Sequence, residues 1–211
     1  MRFETLLPLV FVAIFLLLAG IAIVGVQKQQ RKAREQLAGL ARRLGLELRR
    51  QGAKFGFEPS PTVAGGHRNR AVRFFNYTTG SGKSSTTWSA VAASVGGAGG
   101  FSLELFPENF LTRIATALGL QDIRVGDPAF DQAFIVRSND PAYAAAALLP
   151  EIRARLLAER PPGARGHLAI KDGEVRDAEA GAFDDGARVT RLAGMLEVVC
   201  DLAEVAEVYK A

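Results

Sequence analysis

Ala71-Val72-Arg73-Phe74-Phe75-Asn76-Tyr77-Thr78 and Thr86-Thr87-Trp88-Ser89-Ala90-Val91-Ala92-Ala93-Ser94-Val95 flank the short stretch Thr79-Gly80-Ser81-Gly82-Lys83-Ser84-Ser85. Both flanks are rich in β-branched and aromatic residues, which suit a pleated, half-buried surface, and the middle holds the glycines and serines of a turn. The pattern predicts a β-hairpin with a flexible polar tip. Gly96-Gly97-Ala98-Gly99-Gly100 reads as the next turn, and Phe101-Ser102-Leu103-Glu104-Leu105 alternates as a third strand.

Further along, Pro107 is expected to open a helix carrying Phe110, Ile114, Ala117 and Leu118 on one side and stopping at Gly119. Short strands are expected at residues 122–125 and 133–137, separated by Gly126-Asp127-Pro128. Ser138-Asn139-Asp140-Pro141 supplies capping chemistry for helical material over residues 142–159, broken or restarted at Pro150. Residues 167–171 and 174–177 flank Asp172-Gly173, the strongest two-residue hairpin signal in the chain. Asp184 or Asp185 then caps a long helix in which Val189, Leu192, Leu196, Val199, Ala203 and Ala206 keep helical spacing. Hairpins alternating with helices predict an α+β domain, a mostly antiparallel sheet with helices on one face, over residues 67–211.

Upstream, residues 52–66 contain Pro59, Pro61 and glycines and read as a linker. Residues 27–51 read as a basic amphipathic helix. Leu37, Leu40, Ala41, Leu44 and Leu48 share one face, while Lys28, Arg31, Lys32, Arg42, Arg43, Arg49 and Arg50 cluster opposite. Its leucine face can pack on the soluble domain, pair with a second copy or lie on lipid; Gly39, Gly45, Gly52 and Glu47 disfavour a long coiled coil.

Residues 6–26 form an uncharged run of 21 residues behind a five-residue tail. As a helix it would span about 30 Å, the thickness of a bilayer's hydrocarbon. A cleaved signal peptide has a shorter apolar region of about 7–15 residues and a small-x-small exit, unlike Ile23-Val24-Gly25-Val26-Gln27. The run is therefore expected to be a retained single-pass anchor. Arg2 stands before it, offset by Glu4, whereas Lys28, Arg31, Lys32, Arg34, Arg42 and Arg43 follow, so the N-terminus is expected outside and the domain in the cytoplasm. A lone cysteine, Cys200, implies no oxidising compartment.

Charge divides the same way. Residues 1–54 hold ten basic and three acidic residues, a net of +7, while the remainder holds 16 basic and 19 acidic, a net of −3. Positive charge concentrated beside an anchor meets anionic headgroups before nucleic acid, which excludes a generally basic nucleic-acid binder.

Candidate chemistry is sparse. Gly80-Ser81-Gly82-Lys83-Ser84 resembles the end of a phosphate-binding loop, but Tyr77 stands where the pattern needs glycine and a strand follows where it needs a helix N-terminus. His67 and His167 lack neighbouring ligands at metal spacing and read as surface residues, and Cys200 reads as a buried, inert thiol. Asp122, Asp127, Asp131 and Asp140 punctuate turns around two strands. Brought together, such carboxylates could act as acid and base, while separately they are ordinary turn and cap residues. No catalytic, cofactor-binding or metal-ligating residue is assigned.

The order of one N-terminal membrane helix, Tyr77–Ser84, Leu103–Glu108, Gln121–Asp131 and Phe134–Ser138 resembles a group of uncharacterised bacterial single-pass membrane proteins with a soluble domain of unknown function. The resemblance covers roughly residues 70–157. It implies a bacterial source and one domain across these segments. The expected function is a membrane-anchored cytoplasmic protein-interaction module, touching the bilayer through residues 6–26 and a membrane-associated protein through its domain. The alternative is a ligand-binding protein or enzyme built from the acidic turns at 122–140.

Overall fold

The computed structural model describes residues 3–49, 60–96, 102–108, 121–160 and 166–209, without the side chains of residues 3–10, 13, 22, 23 and 121. Its helices are α1 (Phe3–Leu44), α2 (Pro128–Ala133), α3 (Pro141–Ala147), α4 (Pro150–Glu159) and α5 (Gly186–Val208). Its strands are β1 (Glu47–Arg49), β2 (Thr62–His67), β3 (Arg70–Thr79), β4 (Thr86–Ser94), β5 (Leu103–Pro107), β6 (Gln121–Ile123), β7 (Phe134–Ser138), β8 (Gly166–Lys171) and β9 (Glu174–Ala180). They form a single sheet in the order β1-β2-β3-β4-β9-β8-β5-β7-β6, and every neighbouring pair is antiparallel.

Alternation along the strands sorts side chains onto two faces. Val63, Val72, Phe74, Val91, Leu103, Leu105, Val136, Leu168, Ile170 and Val175 point to one side. There they join the buried residues of all five helices in one core, including Leu37 of α1, Phe130 of α2, Tyr143 of α3, Leu156 of α4 and Leu192 through Ala206 of α5. On the other side a separate small cluster of Trp88, Ala90 and Ala178 is flanked by Phe75, Tyr77 and Ala180, with no helical member. The α+β reading with helices on one face is thus correct, and one sheet face is free of helices among the described residues.

Several elements depart from the sequence reading. The helix expected to reach Gln51 ends at Leu44, because Gly45 takes a left-handed conformation (φ 67°) that turns the chain into β1. The expected linker at 52–66 is part strand: β2 begins at Thr62, so the domain starts before residue 67. Gly65 belongs in that strand for a packing reason, since a Cβ there would stand 2.9 Å from the Leu46 side chain. Pro107 closes β5 opposite Phe134 instead of opening a helix, while the expected helical residues 110–119 lie outside the described residues. Residues 128–133 form an unforeseen helix, α2, capped by Asp127.

Helix α1 has two unlike halves. Ala33, Leu37, Leu40 and Ala41 are buried against the sheet and α5, whereas Phe11, Phe15, Leu16, Leu18, Ile21 and Val24 are exposed. Among the described residues, which leave out the side chains of residues 3–10, 13, 22 and 23, no helix is long and apolar enough to cross a membrane. Helix α5 starts at its Asp185 cap, whose carboxylate accepts from the Ala187 amide at 3.0 Å. It is also gripped by the β2–β3 turn, where Arg68 reaches Asp201 at 2.6 Å and Glu204 at 2.8 Å.

Candidate functional site

The helix-free face is divided by an ion pair. Arg73 of β3 and Glu174 of β9 meet across β4. On one side lies a shallow polar trough of about 820 Å³ over β1 to β4, lined by Glu47, Arg49, Asn69 and Ser94 among others. On the other lies a groove of about 540 Å³ whose walls include Tyr77, Trp88, Glu104, Phe106, His167 and Arg176.

Register explains the groove. Tyr77 pairs with Trp88, and Trp88 with Ala180; one step along, His167 pairs with Ala178 and Ala178 with Ala90. Glu104, Ala169, Arg176 and Ala92 form the next row across β5, β8, β9 and β4. Ala90 and Ala178 are buried beneath the larger side chains, and Ala169 lines the groove beside Arg176. Tyr77 and Trp88 stack at 6.4 Å, Trp88 meets His167 edge-on at 5.3 Å, and His167 stacks on Phe106 at 6.1 Å. The Trp88 indole N–H donates to the Thr79 hydroxyl at 2.8 Å, which orients its ring.

Two polar atoms of the groove are buried without a hydrogen-bond partner among the described residues, the Tyr77 hydroxyl and Nε of Arg176. The Arg176 guanidinium stands 5.1 Å from the centre of the Tyr77 ring, a cation–π contact. Burial raises the Tyr77 phenol above its ordinary range, and Arg176 partly opposes the shift. Burial, with the charges of Arg160 and Arg176, pushes the His167 imidazole down to about 4. His167 is therefore neutral at pH 7 and serves as an aromatic wall. Arg160 itself lies under the sheet, in a buried ion pair with Asp177.

This corrects the reading of His167 as a surface residue: its ring is half-buried between Trp88 and Phe106. His67 is also half-buried and contacts Glu197 of α5 at 2.7 Å. Cys200 is buried, with its thiol pushed up to about 11 chiefly by burial, the inert state expected of it. In the hairpin tip Gly82–Ser84 form one short turn, Lys83 is exposed, and β4 follows directly, so no helix N-terminus faces the loop.

The four carboxylates each have local work. Asp122 accepts from Arg137 Nε at 2.7 Å. Asp127 caps α2 and contacts Arg153, and Asp131 accepts from the Val125 and Gly126 amides, both at 3.0 Å. Asp140 caps α3 through the Ala142 and Tyr143 amides. Neither the groove nor the trough is lined by any of them. Among the described residues no group of three or more His, Cys, Asp or Glu could hold a metal ion.

No protein-family model matches the chain, and no curated protein matches it. Among solved structures it is similar to the crystal structure of the mycobacterial trehalose monomycolate transport factor A, TtfA. The TM-score is 0.53 at 12% identity, over 85% of this chain and 95% of that one. At that identity the likeness is one of fold.

Proposed function

We propose that the chain is a membrane-anchored cytoplasmic protein-interaction module of bacterial origin, held with its N-terminus outside and its domain near the inner face. The observation that carries the reading is the division of α1. A single helix, Phe3–Leu44, is docked in the domain core at Leu37 and Leu40 and exposes large apolar side chains on all sides between Phe11 and Val26. Exposed apolar surface of that extent is unfavourable in water and favourable in hydrocarbon. The six basic residues between Lys28 and Arg43 set the expected orientation.

Because the helix enters the core without a break, the anchor would hold the domain at a set height and angle rather than on a loose leash. Confinement of this kind raises the effective concentration of a weak binder toward membrane partners. The polar trough and the short strand β1, at the edge of the sheet among the described residues, offer a protein partner both side-chain contacts and a strand edge. The fold shared with a protein named as a transport factor is compatible with binding in place of catalysis.

Fusions after Ala211 test the topology. Alkaline phosphatase there should be inactive and a fluorescent protein bright, and the chain should stay in the membrane pellet through a carbonate wash. High phosphatase activity would reverse the orientation, and release by carbonate would remove the anchor. A photo-crosslinker at Arg49 should give a discrete protein adduct in native membranes; a ladder of unrelated adducts, or none, argues against the trough as an interface.

A further inference from the structure

The groove on the helix-free face has no role in the anchor or in the trough. We infer that it binds a long-chain carboxylate drawn from the bilayer, with the carboxylate on Arg176 and the chain running from Ala169 past Phe106 and His167 to Trp88. The direction of the groove relative to the anchor rests on the membrane-anchor reading above.

Three observations converge on this ligand. Glu104, Asp172 and Glu174 line the same groove and Glu174 is engaged by Arg73, yet among the described residues none forms an ion pair with Arg176, whose Nε, like the nearby Tyr77 hydroxyl, is a buried donor without an acceptor. An arginine fork matches a carboxylate, and a buried donor left unsatisfied is costly, so an anionic acceptor at this point restores what the protein lacks. From Arg176 toward Trp88 the walls are Ala169, Phe106, neutral His167 and Tyr77, while the charged lining residues Arg73, Glu104, Lys171, Asp172 and Glu174 stand in the Arg176 row or on its far side. From Arg176 to Ala180 the strand rises about 13 Å, a length suited to an extended chain, and the 540 Å³ volume is that of a small-ligand site.

The third observation fixes which end opens where. A separate cleft is lined by Val26, Gln29 and Gln30 of α1 together with Asn76 of β3 and Thr87 of β4. At the other end of the docked half, Leu46 lies against Gly65, which pairs with Val72. Passing from Leu46 back to Val26 therefore follows β3 from Val72 toward Thr79. The Tyr77–Trp88 end of the groove lies at the end of the domain from which the apolar half of α1 departs, and Arg176 lies deeper. A chain entering tail-outward from the bilayer surface would place its head at the arginine.

Trp88 is the only tryptophan in the chain and stands in the groove wall, which supplies the readout. Full-length protein is reconstituted in phosphatidylcholine vesicles, and 9,10-dibromostearate or its uncharged methyl ester is added. The acid should quench Trp88 emission saturably by more than half, and the ester by far less. Arg176→Gln should raise the half-saturating concentration at least tenfold and Tyr77→Phe several-fold, while Lys83→Gln, on the exposed tip, should match the wild type. Ala169→Leu, which narrows the groove beside Arg176, should abolish saturable quenching. Equal quenching by acid and ester, or an unchanged half-saturation in folded Arg176→Gln, overturns the proposal. The same titration in amphipol, without a bilayer, separates the sources: quenching there but not from vesicles overturns the bilayer origin. Release of the protein from vesicles by carbonate would refute the anchor alone, because the amphipol titration reads the groove independently.

Discussion

His167 makes the stability of this domain depend on pH in a way that carboxylates do not. Its folded-state pKa is depressed from 6.5 to about 4 by burial between Trp88 and Phe106 and by the charges of Arg160 and Arg176. A group whose folded pKa lies below its unfolded value binds its proton first in the unfolded chain. The stability it contributes is present above pH 6.5 and is lost as pH falls toward 4. Two and a half units correspond to at most about 3 kcal/mol, of which about 2 kcal/mol is already gone at pH 5. In a domain of this size that is a fall in Tm of roughly 4–8 °C between pH 7.5 and pH 5. Carboxylates retain most of their charge over that interval, so the histidine dominates it. The assay is thermal unfolding of the full chain followed by Trp88 fluorescence at both pH values, beside His167→Phe. The variant keeps an aromatic wall and should lose most of the pH 7.5-to-5 difference. An equal loss of Tm in wild type and variant, or an NMR titration of His167 with a midpoint near 6.5, would refute the reasoning.

Other substitutions read other parts of the structure. Leu37→Ala, a fully buried position on α1, should cost about 2–5 kcal/mol in denaturant unfolding, whereas Leu18→Ala on the exposed half should leave domain stability unchanged. Asp177→Asn strands the buried Arg160 charge and should destabilise by about 3–5 kcal/mol, while the double change Arg160→Met with Asp177→Leu should recover most of that loss. Asn69→Gly relaxes a left-handed residue of the β2–β3 turn (φ 59°) and should stabilise by about 0.5 kcal/mol, seen as a higher Tm.

Much of the strand pattern was readable because local chemistry and fold agree. Asp172 and Gly173 both take left-handed conformations, as a two-residue hairpin of that composition requires. The β2–β3 turn does the same with Arg68 and Asn69, and no glycine announces it. It is held from outside, by the carboxylates of α5 that engage Arg68, and such support is invisible until the helix is placed. Strands β1 and β2 were hidden for related reasons. Residues 47–49 continue the apolar spacing of α1, and Gly65-Gly66 resembles a loop until Leu46 is seen to need the space.

The acidic turns attracted notice because carboxylates stand out in a sequence, yet each is consumed by backbone amides or a neighbouring arginine within its own turn or strand pair. The groove was hidden by the opposite circumstance. Its walls come from five strands, β3, β4, β5, β8 and β9, and only the register brings Tyr77, Trp88, Phe106, His167 and Arg176 together. A signal for it does exist in the alternation. In a sheet covered on one face, the outward positions should be polar. Here the outward positions of β3 and β4 include Phe75, Tyr77 and Trp88 beside the inward Phe74 and Val91. Aromatic residues in both phases of an alternating strand imply two apolar faces. Among the described residues all five helices lie on one of them, and the aromatic layer on the other is covered by its own arginines and its own stacking, which is the condition under which an acyl chain gains by lying there.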